Sequence, residues 1–349
     1  MNLRVAISAD NQQLVALSDL TPMDGTISVC IKRSPDFFSL LYRIGEPHVI
    51  VAEENGVIIG CVSIVKEDMM LMNKPTTFYY LCDLKVHPDH RNKKVGTHLS
   101  EAMHAYLLQQ DADLLFSTVA NENQKVMPLF NGKAGIENVT SAGKFYILQL
   151  VPNKNFKANA NYTIVPYNDE EKVVQMHKQF ASGYALHPVV IKENYKGCIH
   201  FTALKNKEPV ALVSLFDPMP LKQNVLISIP WYFKIVVNFL RFAKPVLHTP
   251  YMPHTNEAIR ILYVKDFSYM PGHEDALITL IEFANQYAHK KDYSFLSITF
   301  HEKDGLRARL RKFRSFPFIA FGMICSLKNN MEVINKVKEG NISKDFSLV

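Results

Sequence analysis

The sequence predicts an α/β chain built from two copies of one strand–helix unit. Three observations carry that prediction. The hydrophobic period switches repeatedly between that of a strand and that of a helix. The polar, Asn-rich segment 152–161 lies between two strand-like runs, residues 146–151 and 162–165, which marks a linker with its boundary near residue 155. The order of elements also repeats: strand end to strand end spans 33 residues from Val86 to Val119 and 36 from Val264 to Phe300. A chain of 349 residues can bury two sizeable cores.

In the first half, residues 49–53 and 57–65 are β-rich runs joined by Glu54, Asn55 and Gly56, a hairpin signal. Residues 78–86 make a third strand. Val95, Leu99, Ala102, Met103, Tyr106 and Leu107 then recur at helical spacing. Residues 114–119 are a strand, 126–130 a short helix interrupted at Pro128, and 144–151 a closing strand. The second half runs through the same series. Residues 200–204 and 210–216 form the hairpin and 260–264 a strand. Ala276, Leu277, Leu280, Ile281, Ala284 and Tyr287 make a helical face, and 294–300 is the next strand. Residues 328–349 show weak periodicity and are expected to form a short helix and a loose tail.

Composition narrows the function classes. With 48% hydrophobic and 21% charged residues the chain reads as an ordinary globular protein, and its net charge of +6 is dispersed rather than gathered into a basic face. That favours an anionic small molecule over nucleic acid. The cysteines (Cys30, Cys61, Cys82, Cys198, Cys325) are odd in number and contain no CxxC pair. A disulfide framework or structural zinc is therefore not expected, and no metal is. The opening residues lack the apolar run of a signal peptide. The most apolar stretch, residues 231–247, is interrupted by Lys234, Asn238, Arg241 and Lys244. The expectation is a cytoplasmic protein without a membrane or nucleic-acid partner; a homodimer is left open. Residues 231–242 could be a surface helix for a membrane or partner, but an interior or interdomain helix is the preferred reading.

The chemistry is concentrated in residues 80–99. There a strand runs through a Pro88 turn into the basic loop His90, Arg91, Asn92, Lys93, Lys94 and a helix opening at Val95, Gly96 and Thr97. First-turn amides lack internal partners and the helix dipole is positive at that end, so such a loop is an anion site. Arg91, Lys93 and Lys94 add charge, and Gly96 allows close approach of a phosphate.

This segment resembles the acyl-CoA signature of the GCN5-related N-acetyltransferase (GNAT) superfamily, Arg/Gln-x-x-Gly-x-Gly/Ala after a strand with a Pro-like exit. Arg91 and Gly96 fit the outer positions, Val86, His87 and Pro88 the strand exit, and Leu99 the helix anchor; Lys94 replaces the middle glycine. Asn123, Leu129 and Phe130, with Gly135 and Ile136 beyond, resemble a second family element. There Asn123 would touch the pantetheine arm, and Phe130 stands where a tyrosine commonly protonates the leaving thiolate, which phenylalanine cannot do. Residues 118–135 are also similar to the plant HOOKLESS-like subgroup.

The resemblance covers residues 3–152, and the second half only by topology; it implies two tandem GNAT-like domains, each a mixed, mostly antiparallel twisted sheet flanked by helices. The expected division is a cofactor domain at 1–152, a linker at 153–161, a degenerate copy at 162–327 and a tail at 328–349. The activity implied is direct transfer of an acetyl group from acetyl-CoA to a primary amine of a small molecule or peptide. A non-catalytic acyl-CoA sensor is the alternative, and a longer acyl donor stays open.

Backbone N–H groups of Leu84, Lys85 and Val86 are expected to hold the thioester carbonyl. Asp83 is the candidate base or amine anchor, set equally against a structural ion-pair role. Cys82 is expected in the core; His87 and His90 are set between phosphate contact and a plain role in the turn, the latter being preferred. Ser34 as N-cap with Pro35 at N1 would open a helix. The resemblance puts this segment on the acceptor side, where Arg33 would meet an acidic group and Phe37 or Phe38 would form a wall.

Overall fold

The computed structural model describes residues 1–23, 25–121, 123, 136, 138–157 and 159–349. The expected helix at 126–130 lies outside the described residues. The first half runs β1 (Asn2–Val5), α1 (Asn11–Asp19), β2 (Ser28–Lys32), α2 (Phe37–Ile44), β3 (Glu46–Glu54), β4 (Val57–Leu71), β5 (Lys74–Val86), α3 (Val95–Gln109), β6 (Leu114–Ala120) and β7 (Thr140–Leu150). The second runs β8 (Thr163–Pro166), α4 (Glu170–Ala181), β9 (Leu186–Pro188), β10 (Ile199–Lys205), β11 (Glu208–Phe216), β12 (Gln223–Ser228), α5 (Trp231–Phe242), α6 (Lys244–Leu247), β13 (Ile261–Tyr269), α7 (Glu274–Lys290), β14 (Phe295–His301), β15 (Ser315–Ser326) and α8 (Met331–Glu339).

The hairpin between β3 and β4 turns on Asn55 and Gly56, both at positive φ (52° and 79°), as a two-residue turn requires. Neighbouring residues of these strands bury on opposite faces. Val49, Val51, Cys61 and Val65 join a cluster with Leu14 and Phe37, whereas Ile50, Ala52, Val62 and Ile64 join one with Leu99, Met103 and Leu107 of α3. Both faces are covered, which explains the nearly unbroken apolar runs in the sequence. In the second half, α7 packs its apolar face on β11, β13 and β14 in the same manner.

Thirteen strands form one sheet in the order β1-β3-β4-β5-β6-β15-β7-β14-β13-β11-β10-β8, with β9 paired to β4. Read inward from either edge, the series is the same, except that the last strand of each half is exchanged. β15 lies beside β6, and β7 lies beside β14. The loop near residue 155 follows β7, but the sheet does not divide there. β7 is antiparallel to both β14 and β15, and the small sheet β2-β12 ties the halves a second time.

Three expectations are corrected. Residues 328–349 are not a loose tail: Ile334, Val337, Ile342 and Phe346 lie in the first half's core. The alternation of Ile342, Lys344, Phe346 and Leu348, all buried, is a strand-like period over a short run. The helix after Arg33 opens two residues later than expected, because the Asp36 carboxylate caps it by accepting from Phe38 N at 3.0 Å. Finally, α5 is neither interior nor interdomain, and none of its residues is buried. No helix among the described residues is long and apolar enough to cross a membrane.

Candidate acyl-CoA site

β5 and β6 are parallel, and their pairing covers Phe78–Leu81 against Leu114–Ser117. Beyond Leu81 the two strands part, although β5 continues to Val86 and β6 to Ala120. A wedge opens between them. At its mouth β5 carries a bulge: Cys61 pairs with Lys85 and Ser63 with Cys82, so Asp83 and Leu84 together face Val62. Asp83 adopts φ +52°, the left-handed conformation that such a bulge demands. Leu84, Lys85 and Val86 are half-buried along the strand edge facing the wedge.

The strand then leaves through a short 3-10 turn, Pro88–His90, into the exposed residues Arg91, Asn92, Lys93 and Lys94. Asn92 and Lys94 both take positive φ, 64° and 61°. Lys94 thus adopts the left-handed geometry usually left to glycine, and it is the N-cap of α3. The first turn of α3 carries no acidic residue, so its amides and dipole are not answered by a carboxylate of that turn. A Cβ added at Gly96 would meet only Val86, at 3.7 Å, leaving room above the backbone for a phosphate. Gly60, which sequence reasoning missed, seats this helix: a Cβ there would lie 3.0 Å from Leu99, Val95 and the Lys85 carbonyl. His87 and His90 pack ring to ring within the turn, 5.7 Å apart.

A parallel wedge closed by a basic helix start is an anion-binding arrangement, and residues 17–135 match the family model of the GNAT acetyltransferases. That stretch is thus similar to a GNAT domain. Two Arabidopsis thaliana proteins are similar over that region. "Probable N-acetyltransferase HLS1-like" is 27% identical over 136 residues, covering 34% of this chain and 32% of the relative. "Probable N-acetyltransferase HLS1" is 30% identical over 131 residues, with the same coverage. The chain thus spans about a third of the length of the curated relatives it matches. Two solved structures share the fold over 93% of this chain. They are Saccharomyces cerevisiae N-myristoyltransferase with bound myristoyl-CoA (TM-score 0.63, 10% identity, 79% of that chain) and a GCN5-related N-acetyltransferase from Anabaena variabilis (TM-score 0.53, 11% identity, 72% of that chain).

Within the region matched by the GNAT model, Asp83 does not stand free. Its carboxylate accepts from Arg33 Nη2 at 2.7 Å and lies 3.7 Å from Lys85 Nζ, with all three side chains largely buried. Burial alone would raise its pKa, but the charges of Arg33 and Lys85 prevail and hold the carboxyl below its ordinary value. Of the two roles left open by the sequence, this pairing supports the structural one. Arg33, expected to meet an acidic acceptor, meets the protein's own Asp83, and its Nη1 donates to the Phe37 carbonyl at 3.3 Å. Phe37 is fully buried in the core rather than lining an acceptor wall. Phe38 is half-buried, against the same cluster. Asn123 is exposed, its backbone N–H bonded to the Ala120 carbonyl. Phe130 lies outside the described residues.

Sequence reasoning missed a cluster of buried polar groups beside this site. Lys344 binds Glu67 at 2.6 Å and lies 4.2 Å from the Tyr80 ring centroid, while the Tyr80 hydroxyl is 2.7 Å from Thr118 Oγ1, across the base of the wedge. Lys222, pushed down to about 7 by burial and then by the charge of Arg33, donates to the carbonyls of Phe346 and Val349. The signal available for Lys344 was the alternation it shares with Ile342 and Phe346. For Lys222 no local pattern announces burial.

The second half repeats the wedge and fills it. β13 and β14 pair in parallel only over Ile261–Tyr263 and Phe295–Ser297, and β13 bulges at Lys265, between the pairs Leu215–Val264 and Ser214–Asp266. Lys265 is ion-paired to Asp345, and the Tyr195 hydroxyl donates to Asp266 at 2.8 Å. Phe180, Tyr184, Phe346 and Ser347 close around these groups, leaving a cavity of about 40 Å³, room for one or two waters. Among the described residues, no group of three or more His, Cys, Asp or Glu side chains is placed to hold a metal ion.

Proposed function

We propose that this protein is an acetyl-CoA-dependent N-acetyltransferase acting on a primary amine of a small molecule or peptide, and that residues 1–327 comprise two GNAT-like units of which the first binds the cofactor. The observation carrying this reading is the basic turn Arg91–Lys94 at the start of α3, beside the wedge between β5 and β6. The pyrophosphate would rest on the amides of Val95, Gly96 and Thr97 with Arg91, Lys93 and Lys94 around it. The thioester would lie along Leu84–Val86, where a backbone N–H can polarise its carbonyl.

The neutral amine attacks the thioester carbon. The new N–C bond forms as the C–S bond breaks, the nitrogen releases its extra proton to water, and the thiolate leaves to take a proton from solvent, since Phe130 has none to give. Asp83 acts as a positioning residue in this scheme, fixing the bulge through Arg33 and Lys85. Its depressed pKa makes it a weak base, which is the observation favouring the second reading, an acyl-CoA-binding sensor with little or no turnover.

Calorimetry with acetyl-CoA, followed by thiol release across a panel of amines, separates the two. Binding with release supports the transferase, and binding without release supports the sensor. Arg91→Ala should weaken binding by about 1–3 kcal/mol, the range for a charge-assisted hydrogen bond. Unchanged affinity in that variant would remove the turn from the site.

A further inference from the structure

The helical arm between β12 and β13 turns its apolar side away from the protein. Trp231, Ile235, Phe239, Phe242 and Val246 follow one another at intervals of four, four, three and four residues, and all are exposed, Phe242 by 87%. Tyr232 and Val236 widen the stripe. It is the opposite side that is fastened. The Arg241 guanidinium donates to the carbonyls of Met252 and Pro253 and to Asn238 Oδ1, and Thr249 Oγ1 donates to the Leu240 carbonyl. Lys244 binds Asp292 at 2.7 Å, and His289 Nε2 lies 2.7 Å from the His248 carbonyl. Polar contacts thus hold the arm in place while a continuous apolar stripe faces outward, the reverse of what burial in the core would produce.

Charge says what covers it. Residues 218–256 contain no Asp or Glu, whereas Lys234, Arg241 and Lys244 flank the stripe. Beside the end of α5 lies an open crevice of about 500 Å³, lined by Arg241, Lys244, His248 and His289 with Asp292 as its single acid. An aromatic stripe next to a basic crevice matches the boundary between acyl chains and phosphate headgroups. At 12 residues α5 is too short to span a bilayer and is suited to lie along its surface. We infer that the α5–α6 arm docks this protein onto an anionic phospholipid surface, independently of what the GNAT domain transfers.

The chain contains one tryptophan, Trp231, at the start of the stripe, so its fluorescence reports directly on docking. With vesicles of phosphatidylcholine and phosphatidylserine, the emission should shift to the blue and the protein should sediment with the lipid. Phosphatidylcholine alone should retain it several-fold less well. Phe239→Ser with Phe242→Ser should abolish both signals, and unchanged thermal unfolding would show that these exposed positions leave the fold intact. Lys234→Gln should lower retention on the mixed vesicles about fivefold, as expected for a basic residue worth about 1 kcal/mol near an anionic surface. The absence of any shift overturns the proposal, as does equal binding to the two vesicle types. A blue shift that grows with protein concentration without lipid overturns it too, by giving the stripe to a second copy of the chain.

Discussion

Helices α3 and α7 begin at corresponding places in the two halves, each after a bulged strand that has parted from its parallel neighbour. Their first turns are treated in opposite ways. α7 opens with Glu274 and Asp275, which answer its dipole from within the chain. α3 opens behind Arg91, Lys93 and Lys94 and has no acid in its first turn. The same contrast holds inside the wedges. In the second, Phe180, Tyr184 and Phe346 fill the space, and in the first the half-buried edge Leu84–Val86 is framed by the basic turn. A helix start with its own carboxylates is a finished structural element, whereas one surrounded by cations is suited to an anion from outside.

The two wedges also hold carboxylates of opposite character, and the largest expected effect tests this. Asp83→Asn leaves the buried Arg33 without its ion-pair partner, and such a loss costs about 3–5 kcal/mol. Thermal unfolding at neutral pH should show it. The depressed pKa of Asp83 means that its contribution is present above the carboxyl's unfolded value and fades as pH falls through the folded one. A drop well below the stated range would mean that the pair does not hold the bulge.

Asp266 is the converse case. Burial, opposed by Lys265, raises its pKa to about 6, so its favourable contribution is complete below the unfolded value and is lost as pH rises through 6. Asp266→Asn keeps an acceptor for Tyr195 and cannot ionise. It should therefore be more stable than the parent at pH 8 by about 1–3 kcal/mol, with the difference vanishing near pH 4. Chemical denaturation at the two pH values checks this, and a variant destabilised at pH 8 would contradict the assignment.

The smallest effect concerns Lys94. A left-handed non-glycine residue carries about 1–2 kcal/mol of strain, partly offset in Lys94→Gly by the greater freedom of glycine when unfolded. A net gain of about 0.5–1 kcal/mol in unfolding free energy is expected.

Much of the fold was legible in the sequence because local periodicity dictated it. The hairpin at Asn55 and Gly56, the face of α3 from Val95 to Leu107 and that of α7 from Ala276 to Tyr287 each bury what their spacing indicates. The basic turn was legible for a similar reason, since adjacent residues make it. Long-range pairing was not. Nothing near Arg33 announces Asp83, fifty residues away, nor does anything near Lys344 announce Glu67. The exchange of β7 and β15 is hidden because both are ordinary apolar strands, and only the assembled sheet distinguishes their neighbours. The outward face of α5 was misread because amphipathicity gives a direction relative to a surface without saying which surface.

The exchanged strands bear on how the molecule can come into being. β6 has β15 as its neighbour on the side away from β5, and that strand is synthesised almost at the other end of the chain. A ribosome that has released only residues 1–152 has produced the basic turn, but also a β6 whose outer edge is bare and a β7 without its eventual neighbours. Bare edges invite improper pairing with other chains, and contacts so distant in sequence form slowly. The half that carries the basic turn is therefore made before the other half and is among the last parts to be completed.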